Sequence, residues 1–255
     1  MRSRSRAQPL RRESRRCRRR RWRAPSSTSR LLVDHRERLV RTRVALNSTL
    51  QWNLHDLWPE LTLPGGTLFS KKWTTKIARR LARAEQTMRV RIARDELRRL
   101  RELTVAVDAL EAEIADLVAQ VAPQLLTEPG FGPLTAAKLI GEIAGAQRFS
   151  SEAKLARAAG VAPIPVSSGK TNRHRLDRGG NRQINAALHR VAVTRARCHP
   201  ETQTYLDRKR QEGMSTREAI RCLKRHLAPP HLAPAPAAHP VRDLSQFLTQ
   251  EQHKR

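Results

Sequence analysis

The sequence predicts a mainly α-helical protein, in which long coiled-coil helices precede a compact helical domain and both termini are disordered. Three observations lead to this class. Apolar residues recur at steps of three and four, aromatic residues make up only 4% of the chain, and no segment alternates convincingly between apolar and polar residues. The first pattern is typical of amphipathic helices, whereas β-sandwiches and barrels need alternation and favour aromatic residues.

The charge of the chain indicates its class of partner. Lys and Arg number 51 against 23 Asp and Glu, a net charge of +28 over 255 residues, which favours a polyanion such as nucleic acid. No apolar run approaches the roughly 18 residues that span a bilayer, and no apolar stretch of a secretory signal follows the N-terminus. Three widely separated cysteines exclude a disulfide framework and a zinc knuckle. We therefore expect a reducing, cytoplasmic setting and no membrane partner.

Both ends of the chain have the composition of disordered segments. Residues 1–30 hold 13 Arg and one Glu, and residues 228–255 open with a Pro/Ala-rich run that has five prolines within 228–240. A GC-rich coding region read out of frame has the same composition. Two interpretations therefore stay open: frameshifted remnants, or a nucleic-acid-binding tail and a linker.

Residues 31–122 are predicted to form linker helices. An amphipathic helix over 31–58 should end near Pro59, and the following Pro64-Gly65-Gly66 is a turn signal. A basic helical region over 72–94 then carries four inward-facing apolar residues, namely Ile77, Leu81, Met88 and Ile92.

The strongest periodic signal follows this basic region. Apolar residues step by 3, 4, 3, 4, 3 and 4 through Leu100, Leu103, Val107, Leu110, Ile114, Leu117 and Val121. Such a heptad seam predicts a long helix that packs as a coiled coil, within the chain or across a dimer, and that ends at Pro123. Self-association through residues 100–121 is therefore expected.

Residues 123–227 are predicted to form a separate helical domain with shorter helices. Its first motif is Pro129-Gly130-Phe131-Gly132, a helix-hairpin-helix-like turn that opens a helix over 134–144. Glycines allow a backbone to approach a phosphate closely, and the free N–H groups of the next helix can receive it. Gly130 and Gly132 are therefore candidate DNA-binding residues; the alternative is a plain turn between packed helices.

The second motif runs from Gly160 to Arg182. Two prolines impose an extended approach to Ser167-Ser168-Gly169, which we expect in a loop. A serine that attacks a phosphodiester needs an exposed hydroxyl and nearby cations. Closely spaced basic residues supply those cations or simply bind a DNA backbone: Lys170, Arg173, His174, Arg175, Arg178 and Arg182.

Two further helices are predicted over 181–198 and 214–227. Ser215 or Thr216 is the expected N-cap of the second, with Glu218 in position to complete the cap, and this helix is expected to pack on the first. Carboxylates are scattered over charged helix faces and do not form the convergent set of a metal site. We therefore predict no metal in this chain.

The run from Leu126 to Asn181 resembles the transposase domain of the Piv/MooV family of insertion-sequence recombinases. The resemblance is carried by four pieces in order, EPGFGPLTAAKLIGEI, RFSSEAKLARAAGVAP, SSGK and RLDRGGNRQIN. It extends more loosely over residues 30–227, where the helices of 31–121 are similar to the linker and coiled coil that join the two catalytic halves of family members.

The resemblance implies a concrete activity. Family members cut and join DNA strands, guided by a structured RNA, with an N-terminal RuvC-like domain whose acidic tetrad binds a divalent metal such as magnesium and a C-terminal domain that supplies a serine nucleophile. That serine corresponds to Ser168, with Ser167 as the neighbouring alternative. Gly130 and Gly132 match the Pro-Gly-x-Gly turn of the family.

The sequence also departs from the family pattern. Residues 1–30 do not resemble a RuvC-like domain, and no acidic tetrad precedes the linker helix. We therefore expect a truncated transposase that retains DNA binding and lacks recombination activity alone. Its coiled-coil seam would allow it to dimerise with an intact relative.

Two other classes of protein stay open. One is a non-catalytic helix-hairpin-helix DNA-binding protein, in which Ser168 would be idle, and the other is a ribosome- or RNA-associated basic protein. The transposase interpretation requires that the Pro-Gly turn, the Ser-Gly segment and the cationic cluster converge into one pocket for a nucleic-acid strand.

Overall fold

The computed structural model describes residues 25–145, 148–168, 171–177 and 179–228. The segments expected to be disordered therefore lie outside the described residues, apart from 25–30 and Ala228. Lys170 and Arg178, two of the predicted binding residues, also lie outside them. Over the described ranges the chain is mainly helical, which confirms the predicted class. It divides into two units, the first formed by residues 32–114 and the second by residues 25–31 together with 115–228.

The first helix, α1, spans Pro25–Leu57 and begins inside the segment predicted to be disordered. Proline is well suited to a helical first turn because it lacks the N–H that would go unused there. A tertiary contact adds to this, because a Cβ at Gly141 would lie 2.9 Å from the backbone nitrogen and Cα of Arg30. The prediction of disorder was wrong for residues 25–30, since composition alone does not report such a contact.

The unit of residues 32–114 is organised around an aliphatic core. After α1, the chain makes a 3-10 turn at Thr67–Phe69, then α2 over Lys71–Arg83 and α3 over Met88–Val121. The core is drawn from all of these elements and consists of Leu50, Leu54, Leu68, Ile77, Leu81, Val90, Ala93, Leu97 and Leu100.

The basic region predicted over 72–94 is two helices rather than one. Ile77 and Leu81 are buried as expected, but Met88 and Ile92 are 66% and 47% exposed, so their predicted inward orientation was wrong. The interruption between Arg83 and Met88 changes the phase of the helical pattern, and Val90, Ala93 and Leu97 form the buried face of α3.

Helices α1 and α3 run antiparallel within this unit. The Asn53 amide donates a 2.7 Å hydrogen bond to Glu96, and Arg36 pairs with Glu111. The earlier residue of α1 thus contacts the later residue of α3, as in an antiparallel pair. Along the predicted heptad seam, Leu100, Val107 and Ile114 are fully buried. The alternating leucines Leu103, Leu110 and Leu117 are half-buried. Supercoiling and self-association through this seam stay predictions.

The second unit is built around one central helix. It contains α4 (Pro123–Thr127), α5 (Pro133–Ile143), α6 (Glu152–Ala158), α7 (Arg182–Cys198), α8 (Pro200–Gln211) and α9 (Thr216–His226). Helices α5, α8 and α9 all contact α7. The expected packing of the last helix on residues 181–198 is therefore confirmed, as is its N-cap: the Ser215 hydroxyl accepts from the Glu218 amide, and the Glu218 carboxylate accepts from the Ser215 amide.

An antiparallel β-hairpin interrupts the helices of this unit. Strand β1 covers Pro163–Ser168 and pairs with β2 over Thr171–Leu176, where a loop had been predicted. The prolines at 163 and 165 obscured the strand. They are compatible with it because alternate residues of an antiparallel pair direct their N–H groups away from the partner, so prolines two residues apart remove no ladder bond.

None of the helices in the described ranges is both long and apolar enough to cross a membrane.

Candidate nucleic-acid interface

The Pro-Gly-x-Gly turn is held against α7 by one buried arginine. Arg195 donates from Nε to the Pro129 carbonyl at 2.6 Å and from Nη2 to the Glu128 carboxylate at 2.6 Å. Its side chain is 4% exposed and its guanidinium lies 5.8 Å from the centre of the Phe131 ring. The turn is therefore a fixed part of the domain rather than an independent loop.

Close packing against α7 leaves no room for a side chain at Gly130. Its φ is +83°, and a Cβ there would lie 3.1 Å from both the Arg195 side chain and the Val191 carbonyl oxygen. Gly132 differs, because no atom lies within 4 Å of the position its Cβ would take. The contacts with α7 account for Gly130 without a ligand, and DNA binding by either glycine stays a prediction.

Replacing Arg195 with alanine is expected to lower the free energy of unfolding by about 2 kcal/mol, because the largely buried Glu128 carboxylate loses its counter-charge and the turn loses its hydrogen bond. Chemical denaturation measures the change. Arg197→Ala, an exposed arginine on the same helix, is the control and should change stability by less than about 0.5 kcal/mol. Equal losses in the two variants would contradict the role given to the buried pair.

The register of the hairpin fixes the position of the candidate nucleophile. Ser168 is the last residue of β1 and is paired with Thr171, the first residue of β2. The candidate cations Arg173, His174 and Arg175 follow on β2, opposite Val166, Pro165 and Ile164. With about 3.3 Å per strand residue, Arg173 lies some 7 Å and Arg175 some 13 Å along the ribbon from the level of Ser168. The backbone thus brings Ser168 close to Arg173 and leaves Arg175 near the other end.

Two glycines whose backbones lie close together form the base of the hairpin. Gly160, with φ +66°, precedes β1, and Gly180 follows β2. A Cβ at Gly180 would lie 2.9 Å from the Ala159 carbonyl carbon and closer still to the Gly160 backbone. The Asn181 amide adds a 2.7 Å hydrogen bond to the Ala158 carbonyl. The two ends of the hairpin therefore meet backbone to backbone.

Two asparagines join this base to the helices. Asn181 caps α7 by accepting from the amides of Gln183 and Ile184, and its amide group donates to Glu142 at 2.7 Å. Asn185 donates to the Gly160 carbonyl at 2.8 Å. These bonds attach the base of the hairpin to the start of α7 and to α5.

Both asparagines are themselves held by charged residues. Lys224 of α9 donates to the side-chain oxygen of Asn185 at 2.8 Å, and burial, together with the nearby charge of Arg221, lowers the pKa of Lys224. The Glu142 carboxylate, 5% exposed, also lies 3.8 Å from the Arg30 guanidinium. The base of the hairpin is thus supported by α1, α5, α7 and α9 of this unit.

Among the candidate cations, Arg175 and Arg182 have described side chains. Both are exposed, and neither has an ion-pair partner within the described part of this unit. Arg182 is the first residue of α7, directly after the hairpin. These two arginines are therefore available to an anionic ligand near the base of the hairpin.

The turn and the base of the hairpin contact different parts of α7. The base is attached at Asn181 and Asn185, whereas the turn lies against Val191 and Arg195. Ten helical residues, from Asn181 to Val191, span about 15 Å. A single pocket would therefore need the hairpin or a bound strand to extend along α7, and convergence stays a prediction.

Over the described residues, no group of three or more His, Cys, Asp or Glu side chains is arranged to hold a metal ion.

Sequence reasoning overlooked the supporting residues of this interface. Asn181 had a usable signal, because an asparagine directly before a helical pattern is typical of an N-cap. Arg195 and Lys224 had none, because in helices rich in basic residues nothing local distinguishes a buried cation from an exposed one.

The segment that contains the turn and the hairpin is similar to a known protein family. Residues 122–207 match the model of the transposase IS116/IS110/IS902 family. The matched range contains the Pro-Gly turn, the whole hairpin and all of α7. This part of the chain is therefore similar to transposases of that family.

Two individual proteins are also similar to this chain. The insertion element IS110 uncharacterized 43.6 kDa protein of Streptomyces coelicolor is 37% identical over 120 residues, which are 46% of this chain and 30% of the relative. The insertion element IS900 uncharacterized 42 kDa protein of Mycobacterium paratuberculosis is 33% identical over 134 residues, 48% of this chain and 34% of the relative. The matched region thus spans about a third of each relative.

Proposed function

We propose that this chain acts on DNA as part of an insertion-sequence transposase, cutting and joining strands with Ser168 as the nucleophile. The observation that carries the proposal is the family match over residues 122–207, because the candidate serine, the cations and the turn all fall within it. The net charge of +28 suits the same polyanionic substrate. DNA as substrate argues for the cytoplasm as the setting.

The proposed chemistry is a transesterification at phosphorus. The Ser168 hydroxyl attacks a phosphodiester, a phosphoserine ester forms with one DNA end, and the other end leaves as a hydroxyl that takes up the proton. The ester conserves the energy of the broken bond, so a hydroxyl of a second strand can reverse the step and complete joining.

The basic residues around the hairpin hold the DNA and stabilise the transferring phosphoryl group. The proposed neighbours of the reacting phosphate are the basic residues closest to Ser168 along the hairpin, namely Lys170, Arg173 and His174. Arg175, Arg178 and Arg182 are proposed to bind the flanking backbone. Gly130 and Gly132 offer a second backbone contact at the Pro-Gly turn.

The clamped base suits this role. A nucleophile must be held within a fraction of an ångström of its productive position, and a loosely attached hairpin would not do so. The backbone contact of Gly160 with Gly180, and the bonds of Asn181 and Asn185, provide the required attachment.

Three further partners belong to this proposal. The resemblance to the recombinase family suggests a structured guide RNA, a magnesium ion held by the RuvC-like domain of family members and not by this chain, and self-association through the seam of residues 100–121. The buried residues of that seam already pack within the chain, so the half-buried Leu103, Leu110 and Leu117 are the proposed contact with a second copy.

DNA binding is tested by removing the two exposed arginines. Arg175→Gln combined with Arg182→Gln is expected to weaken binding of duplex DNA about tenfold at 0.1 M salt and to reduce the slope of log affinity against log salt by about 2, because two phosphate contacts are lost. Fluorescence anisotropy over a salt series measures both quantities.

The matched control for this test is Arg190→Gln with Arg197→Gln, two exposed arginines of α7 that the proposal does not use. The control should keep affinity within about threefold of the unsubstituted chain. If it loses as much as the interface variant, binding follows net charge alone and the proposed interface is wrong.

A further inference from the structure

A second strongly basic surface lies in the unit of residues 32–114, outside the range that matches the transposase family. It is a groove of about 1010 Å³ formed along α2 and the end of α1. Its lining includes Trp58 and six cations, Lys71, Lys72, Lys76, Arg79, Arg80 and Arg83, and contains no acidic residue.

Most of these cations are not used by the fold. Arg80 pairs with Glu60 and lies 4.3 Å from the centre of the Trp58 ring, and Lys76 lies 4.8 Å from the centre of the Trp73 ring. The other four, Lys71, Lys72, Arg79 and Arg83, are exposed and have no acidic partner among the described residues of this unit. Their charges are therefore free to meet a ligand.

The arrangement is unfavourable without an anion. Lys72, Lys76 and Arg80 follow one another at four-residue steps, as do Arg79 and Arg83, and like charges at this spacing destabilise a helix. No acidic residue lies within α2 to offset them. A bound polyanion would relieve this repulsion.

The helix that carries the charges is firmly placed. Its opposite face buries Thr74, Ile77 and Leu81, and the two apolar residues belong to the core of the unit. From Lys72 to Arg83 the helix rises about 17 Å, a length that a few nucleotides of one strand cover. The buried face thus fixes the helix backbone, from which these charged side chains extend in a row.

The aromatic residue in the groove, Trp58, favours a single strand. Proteins that bind single strands combine a positively charged groove along the backbone with aromatic side chains beside it. Trp58 lines the groove, is half-buried, and has the Arg80 guanidinium against its ring. We propose that this groove is a second nucleic-acid site, which holds the phosphate backbone of a single strand of RNA or DNA.

This site is independent of the chemistry proposed for Ser168. It lies on a different unit and uses none of the hairpin residues, so its failure would leave the strand-joining proposal intact, and the reverse also holds. The combined variant Lys72→Gln, Arg79→Gln and Arg83→Gln tests it in the full chain. All three residues are exposed, so we expect the melting temperature to stay within a few degrees.

The probes are fluorescein-labelled 20-nucleotide strands of oligouridylate and oligodeoxyuridylate, which differ only in the ribose 2′-hydroxyl, and a duplex of the same length. We expect the groove variant to lose about 10- to 100-fold in affinity for both single strands at 0.1 M salt, and the salt slope to fall by about 2, since three phosphate contacts are removed. The conservative variant Lys72→Arg, Arg79→Lys and Arg83→Lys should restore affinity to within about threefold.

The matched control removes the same charge elsewhere in the unit, with Arg41→Gln, Arg91→Gln and Arg101→Gln, all exposed and outside the groove. It should change affinity less than about threefold.

Equal affinity for the two strands would identify the phosphate backbone as the ligand. A preference for oligouridylate would add a contact to the ribose hydroxyl. Both results support the site. The proposal is overturned if the control loses as much as the groove variant, or if the groove variant loses affinity for the duplex alone.

Discussion

Replacing Ser168 with alanine is expected to abolish covalent attachment of this chain to DNA, a loss of at least about 1,000-fold, because no other hydroxyl occupies its position in the proposed reaction. The measurement is a protein–DNA adduct that survives denaturing electrophoresis. The substrate is labelled DNA carrying an insertion-element end, with magnesium present.

The assay is run with this chain alone and with this chain mixed with the 43.6 kDa Streptomyces relative. The 29.0 kDa mass of this chain distinguishes its own adduct from that of the relative on the gel.

Ser167→Ala is the matched control, since it removes a hydroxyl one residue away on the same strand. It should retain the adduct within about fivefold. Loss of the adduct in Ser167→Ala but not in Ser168→Ala would transfer the role to Ser167. An adduct unaffected by either change would assign the attachment to a residue other than these two serines. No adduct with the unsubstituted chain would favour the non-catalytic DNA-binding protein.

Replacing Gly180 with alanine is expected to lower the free energy of unfolding by about 3 kcal/mol, because the added methyl group meets the backbone of Ala159 and Gly160, which cannot rotate away as a side chain can. Relief of this clash would separate the two ends of the hairpin and break the bond from Asn181 to Ala158. Denaturant unfolding measures the loss, and proteolysis within 163–176 would report the released hairpin.

Gly132→Ala is the same change at a position where no atom lies within 4 Å of the added Cβ. Because its φ of −89° also suits alanine, its stability should change by less than about 0.5 kcal/mol. If Gly180→Ala is equally mild, the backbone contact at the base of the hairpin does not contribute to stability as proposed.

The helices could be predicted because their signals are local. The apolar steps of the seam, and the Ser215 and Glu218 pair of the last helix, lie within a few residues of one another. The hairpin was missed because Pro163 and Pro165 argue against a strand until its register is known. The inward orientation of Met88 and Ile92 was wrong because it assumed one continuous helix across the break that precedes Met88.

The supports of the candidate site required tertiary contacts that no local pattern contains. Gly160 and Gly180 meet across 20 residues of sequence, and Arg195 finds Glu128 across 67. Ser168, Gly130 and the cations of the hairpin were named from motif order and chemistry, and their roles stay predictions. The basic groove on α2 was visible in the sequence only as a charged helix, since its concave wall depends on how Trp58 packs beside it.

The two prolines of β1 have a further consequence for contacts between copies of the chain. With Pro163 and Pro165 on the outer side, that edge lacks the donors a third strand would need. A neighbouring hairpin therefore pairs poorly with this edge, and edge-to-edge association of copies along β1 is disfavoured.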